Sequence, residues 1–333
     1  MLIIKSFPKY FGILSRSGLI LLGLLFLVIG CDNRDKKADE ISKIPLELSV
    51  SRFDRDFADA SPADLPRLKK RYPYLFPSQF PDSMWVAKFS DTIQTELSEE
   101  VDKAFGNFDK ETEDLKSLFQ HIKYYFPKWK VPKVVTVTSD VRYNDRVILT
   151  DTLLLLGLDN YLGPDHHFYG SIQRYIAEGL DKRYLCSDVA SAFSKQVLKF
   201  PRNRTFLARM VYYGKELYLK DKLLPNATDG EKIGYSPEDL AWARDSESQI
   251  WRHFVENELL YSTDAKLDRR FLDPAPFSKF QLELDRDSPG RLGRYMGWQI
   301  VRAFMDKNEV TLEQMLAIPA DEIFKKSNYK PKK

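Results

Sequence analysis

Apolar residues recur at three- and four-residue spacings through most of the chain. The clearest stripe runs from Asn203 to Leu224, with Phe206, Leu207, Met210, Val211, Gly214, Leu217, Tyr218 and Asp221 on one face. Pro225 stops this helix, because proline cannot continue the helical hydrogen-bond ladder. A second helix is predicted to open at Ser236-Pro237-Glu238-Asp239, where serine caps, proline fits the first helical position and Asp239 completes a capping box. Its apolar positions are Leu240, Ala243, Ile250, Trp251 and Phe254. A third opens similarly at Ser288-Pro289 and runs to about Lys307. A fourth starts at Thr311, with Gln314 three residues on and a Val310 to Met315 staple.

Strand patterning is confined to one region. Lys133 to Thr138 and Arg146 to Thr150 are β-branched and flank the turn-prone Tyr143-Asn144-Asp145, which predicts a hairpin or a neighbouring pair of strands. Thr152 to Leu158 would extend the second. The expected fold class is α+β, mainly α-helical with a small β-sheet.

The N-terminus has a different pattern. Lys5, Lys9 and Arg16 precede an apolar run from Leu19 to Ile29, too short to span a bilayer, and Val28-Ile29-Gly30-Cys31 has the form read by a lipoprotein signal peptidase. Residues 1–30 are expected to be a signal peptide, with Cys31 diacylated or triacylated and holding the chain on a membrane. Polar residues 31–43 read as a flexible tether of roughly 20 Å, and residues 44–333 as a single mainly helical domain.

Charge changes the picture only by what it excludes. Without the three cations of residues 1–30, Lys plus Arg equals Asp plus Glu at 48 each, so the basic footprint of a nucleic-acid-binding protein is missing. With Cys31 acylated, Cys186 has no cysteine to pair with and reads as a buried apolar thiol.

Candidate chemistry is sparse. There is no His-Glu-x-x-His, Cys-x-x-Cys, Gly-x-Ser-x-Gly or phosphate-cradling glycine loop. His166-His167 could share a metal with Asp159 or Asp165, or could be hydrogen-bonded imidazoles in a polar loop. Glu247 falls on an apolar stripe, where a carboxylate must be paired, hydrogen-bonded or protonated. A salt bridge to a nearby arginine and a binding role both satisfy that requirement. Glu216 and Lys220 have the spacing of an exposed helical ion pair. Gly290, Gly293 and Gly297 share a helical face, which implies close approach of another backbone or of a bound group. Arg291 and Arg294 flank that face and suit an anionic ligand.

Several motifs together resemble the gliding-motility lipoprotein GldB family of Bacteroidetes. They are the Cys31 lipobox, Arg52-Phe53-Asp54, Gly157-Leu158-Asp159-Asn160-Tyr161-Leu162-Gly163, Tyr213-Gly214-Lys215-Glu216-Leu217-Tyr218, Trp242 through Trp251, Ser288 to Gly293, Gly297 to Arg302, and the ending from Ser327. The resemblance implies an envelope lipoprotein required for gliding, in the company of other gliding lipoproteins and the type IX secretion apparatus. Such chains are in turn distantly similar to predicted zinc peptidases. In that register Gly214 and Tyr218 stand at the two histidine positions and Lys215 at the catalytic glutamate, implying a zincin-like scaffold without its metal motif. Three functions follow as expectations. They are a non-enzymatic envelope component acting through protein partners, a hydrolase whose cleft would join His166, His167, Glu216 and Glu247, and a carrier of a small envelope ligand in a deep pocket.

Overall fold

The computed structural model describes residues 36–281 and 283–332. The signal segment and Cys31 lie outside these residues. The chain divides into two compact units, residues 1–45 and 46–333. In the first, residues 36–42, inside the expected tether, are helical.

The second unit is built on a four-stranded sheet in the order β1 (Val50–Arg52), β2 (Lys133–Val137), β4 (Leu153–Gly157), β3 (Val147–Leu149). β1, β2 and β4 run parallel, with Val50 opposite Val134 and Lys133 opposite Leu153, while β3 is antiparallel to β4 with Ile148 opposite Leu155. The two segments expected to pair, β2 and β3, therefore do not touch. Residues 152–158 do not extend β3; the chain turns back at residues 150–153, and β4 inserts between the two. β4 reads Leu-Leu-Leu-Leu-Gly, and a strand flanked on both edges and covered on both faces needs that continuous apolar character.

Alternation along the strands divides the interior into two cores. Val134, Leu154 and Leu156 point into the larger one, packed by the helices Asp109–Tyr125, Leu185–Val197, Phe206–Leu223 and Leu292–Lys307. Val135 points the other way, onto Phe53, Phe57, Leu65, Leu68, Tyr72 and Phe76 from the segments between β1 and β2.

Phe206–Leu223 is the centre of the larger core. Thr205 caps it by accepting the Ala208 N–H at 3.3 Å, and it is buried on most of its faces. It crosses Leu292–Lys307 at two glycines. A Cβ on Gly214 would stand 2.2 Å from the Gly297 carbonyl oxygen, and one on Gly297 would stand 1.9 Å from the Met210 oxygen. Only glycine permits this approach, so backbone contact is the reason for Gly297. Gly290 is set against Ala275 in the same way, with 2.2 Å from the Cβ position to its oxygen.

Two helices differ from expectation. The one starting at Ser236 ends at Asp245, and a second, Glu247–Glu256, follows a break at Ser246, although Leu240, Ala243, Ile250 and Phe254 are buried as the periodicity requires. The helix expected from Ser288 begins at Leu292. Ser288 Oγ donates to the Asp285 carbonyl at 2.7 Å rather than capping, and Arg291 precedes the helix in the left-handed region, φ 63°. The Thr311 capping box forms as expected.

A charged network ties Asp229–Ile233 to this helix pair. Arg302 donates to Asp221 and Asp229 at 2.7–2.9 Å, Lys232 Nζ reaches Asp221 at 3.1 Å, and Trp298 Nε1 donates to Asp221 at 2.9 Å. The Arg302 guanidinium lies 3.7 Å from the Trp298 ring centroid. The following turn, residues 232–234, is thereby fixed beside the helix crossing.

Candidate functional site

A cleft of about 890 Å³ opens on the outer side of that crossing, between Leu185–Val197, Phe206–Leu223 and the turns around residues 174–184, 232–237, 274–276 and 289–294. Its floor is built by two pairs of positions, each pair one helical turn apart. Ser191 Oγ donates to Glu216 Oε1 at 2.7 Å, and Lys220 Nζ donates to Ser187 Oγ at 2.9 Å. Lys220 also donates to the Lys232 carbonyl at 2.9 Å and is 5% exposed. The expected exposed Glu216–Lys220 pair is thus absent, because both residues turn inward and the facing serines take their places as partners. Ser187 Oγ reaches the Lys232 carbonyl at 3.3 Å, which engages its proton away from Lys220.

Arg291 and Arg294 border the same cleft. Arg291 Nη2 donates to the Gly234 carbonyl at 2.8 Å, and Arg294 Nε donates to the Leu272 carbonyl. The Arg294 guanidinium stacks 3.8 Å from the Tyr213 ring centroid. Burial pulls both Lys220 and Arg291 below their ordinary pKa values; on Lys220 the carboxylates of Glu216 and Asp188 oppose this while Arg291 and Arg294 add to it, and on Arg291 Arg294 adds to it while Tyr235 opposes it. Arg146 is held differently. It forms a bidentate pair with Asp188 at 2.7 and 3.1 Å, and Tyr161 donates to the same carboxylate at 3.0 Å. No carboxylate lies within 4.0 Å of Lys220, Arg291 or Arg294 among the described residues. An anion entering the cleft would meet these three cations, none of them in direct contact with a carboxylate, although Glu178, Asp188, Glu216, Glu231 and Asp239 also line the space.

The residues at the zinc-motif register face other surroundings. Gly214 is pressed against Gly297. Lys215 Nζ donates to the Leu316 and Ile318 carbonyls at 2.9 and 2.7 Å, satisfying orphan carbonyls around the end of Leu312–Ala317, and burial pushes its pKa down to about 8. Tyr218 is 6% exposed, with Lys222 5.0 Å from its ring centroid. Of the motif segment, only Glu216 and Leu217 line the cleft.

The histidines are elsewhere. His166 Nε2 lies 3.2 Å from Glu100 and His167 Nε2 lies 2.9 Å from Glu96, two glutamates one turn apart on Thr92–Phe105. Neither suggested oxygen ligand joins them. Asp159 is buried and accepts the Ser139 and Val141 N–H groups at 2.9 and 2.6 Å, while Asp165 pairs with Arg174 at 2.6 Å. Among the described residues no three or more His, Cys, Asp or Glu side chains are grouped to hold a metal ion.

Glu247, 2% exposed, has no arginine partner. Tyr295 and Tyr329 donate to its two carboxylate oxygens at 3.1 and 2.7 Å, and the Lys332 N–H donates at 3.0 Å. Burial and this carboxylate push both phenols well above their ordinary values. Glu247 pins the end of the chain to the core. The four residues of the proposed hydrolase cleft are therefore not assembled, and only Glu216 reaches the open space. Cys186, expected buried, is half-buried, and the burial it has pushes its thiol up to about 12. Sequence reasoning missed Ser187, Ser191 and Lys220 as cleft residues. Their one signal was the four-residue spacing on each helix, which solvent-facing pairs share.

A mainly helical α+β body, with a small mixed sheet and no helix among the described residues long and apolar enough to cross a membrane, is the class of protein defined here. The chain belongs to the gliding motility protein GldB family, which it matches over residues 34–331. That family is one of gliding-motility lipoproteins. No curated protein and no solved structure matches the chain.

Proposed function

We propose that this protein is a lipid-anchored component of the gliding apparatus that works non-enzymatically, held to the envelope membrane by acylated Cys31. In this reading its partners are other gliding lipoproteins and components of type IX secretion. The observation carrying the non-enzymatic part is the placement of the zinc-motif register. Gly214 is locked against the Gly297 backbone, and Lys215 is spent on the carbonyls of residues 316 and 318. That helix face is a packing surface, and an ammonium group there cannot serve as a carboxylate base.

The test is colony spreading and single-cell gliding in a deletion strain complemented with the wild type, with Cys31→Ser, or with Glu216→Gln. Gliding restored by the wild type and Glu216→Gln but not by Cys31→Ser is the expected result. Normal gliding in the deletion strain would remove the motility role. Loss with Glu216→Gln at normal protein level would return a catalytic reading of the cleft.

A further inference from the structure

The geometry points to an oxyanion-binding site in the cleft, with Lys220, Arg291 and Arg294 receiving a carboxylate or phosphate group on a small molecule. The three cations come from two parts of the chain, Lys220 from Phe206–Leu223 and the arginines from the start of Leu292–Lys307, and Lys220 and Arg291 are fixed to one turn. Lys220 holds the Lys232 carbonyl and Arg291 the Gly234 carbonyl, two residues apart. These carbonyls end the Asp229–Ile233 helix, so part of each cation's role is to compensate that terminus.

Compensation leaves most of their hydrogen-bonding capacity unused. An ammonium group has three donors, and Lys220 uses two, on Ser187 and Lys232. A guanidinium has five, and Arg291 and Arg294 each use one on protein. Lys215 is the instructive contrast. It too is a buried lysine bonded to two carbonyls, but it does not line the cleft. Lys220, Arg291 and Arg294 converge where there is room for a ligand.

Three cations drawn out of water beside one another are mutually unfavourable, and the cleft carboxylates relieve them only from a distance, Glu216 and Asp188 acting on Lys220 and Asp239 on Arg291. Asp188 is taken by Arg146, Glu178 by Arg174, and Asp239 by the Ser236 capping box. An oxyanion would relieve the repulsion and fill the remaining donors with charge-assisted bonds, for which guanidinium forks are well shaped. The cleft volume, about 890 Å³, is that of a small-molecule site and far exceeds one ion. Tyr184, Tyr213 and Tyr235 also line the cleft, each with an arginine over its ring. This inference is independent of the lipid anchor and of motility.

Calorimetric titration of the full mature chain with inorganic phosphate, N-acetyltyrosine and N-acetyltyrosinamide tests it. The expected result is saturable binding of phosphate, N-acetyltyrosine or both, and none of the neutral amide. Binding should weaken about tenfold or more in Arg294→Gln. Lys195→Glu at the exposed cleft wall should weaken it too, without disturbing buried contacts. Phosphate alone identifies a phosphate source, and N-acetyltyrosine alone a carboxylate source. No saturation by either acid up to about 50 mM, equal binding of the amide, or affinity unchanged in both variants would each overturn the proposal.

Discussion

Gly297→Ala should destabilise the protein severely, even though alanine is the better helix former. The methyl group would stand 1.9 Å from the Met210 carbonyl oxygen and 2.5 Å from its carbonyl carbon, both atoms of a neighbouring helix backbone that cannot rotate aside. Reaching a tolerable separation of about 3 Å requires the two helices to part by roughly 1 Å, and a gap of that size forfeits a quarter to a half of each facing dispersion contact. The side chains affected include Phe206, Met210, Val211, Trp298 and Val301, all at most 1% exposed. Overpacking of this kind costs about 3 kcal/mol or more, against a propensity gain of about 1 kcal/mol for alanine over glycine. The net expectation is a loss of about 2–3 kcal/mol, or roughly 3–5 °C in Tm for a body of this size. Urea unfolding of the non-acylated Cys31→Ser chain, followed by far-UV circular dichroism, gives the difference directly. Gln299→Ala on the same helix is the control, expected within about 0.5 kcal/mol. A Gly297→Ala chain as stable as its parent would refute the argument that backbone contact selects glycine here.

Glu247→Ala should cost about 3 kcal/mol in urea unfolding, because two buried phenols and the Lys332 N–H lose their acceptor together. The same substitution should speed hydrogen exchange at residues 328–332, and unchanged exchange there would show that the carboxylate does not pin the tail. Asp229 is held down at about 2 rather than 3.8, chiefly by Arg302. Its contribution of about 2 kcal/mol is therefore present above its unfolded value and lost as pH falls toward 2. Asp229→Asn should be less stable than wild type at pH 7, with the difference closing near pH 2. A difference independent of pH would contradict the ion-pair account. Installing a His-Glu-x-x-His motif with Gly214→His, Lys215→Glu and Tyr218→His should yield an unfolded or aggregated chain without stoichiometric zinc, since position 214 has no room for a side chain. A folded, zinc-loaded product by metal analysis would overturn that account.

Local chemistry in the sequence determined the starts of the helices at Ser236 and Thr311 and the stop at Pro225, because a cap or a proline acts within one turn of itself. It also determined the buried faces of Phe206–Leu223 and the strand character of residues 133–137, since periodicity survives whatever the partner element is. The order of the strands was another matter. β1 is three partly buried residues with no pattern of its own, and only pairing with β2 makes it a strand, so the neighbour of β2 could not be read from the 133–158 region alone. The same holds for the site. Gly297 is legible as a close approach and Gly214 as a position on a buried stripe, but only the crossing makes them face each other and turns Glu216 and Lys220 toward the cleft. Glu247 announced itself as a carboxylate needing partners, yet those partners lie 48, 82 and 85 residues away. Tertiary structure decided these matters because burial is a property of the packed whole, and a side chain's partner is whichever group the packing delivers to it.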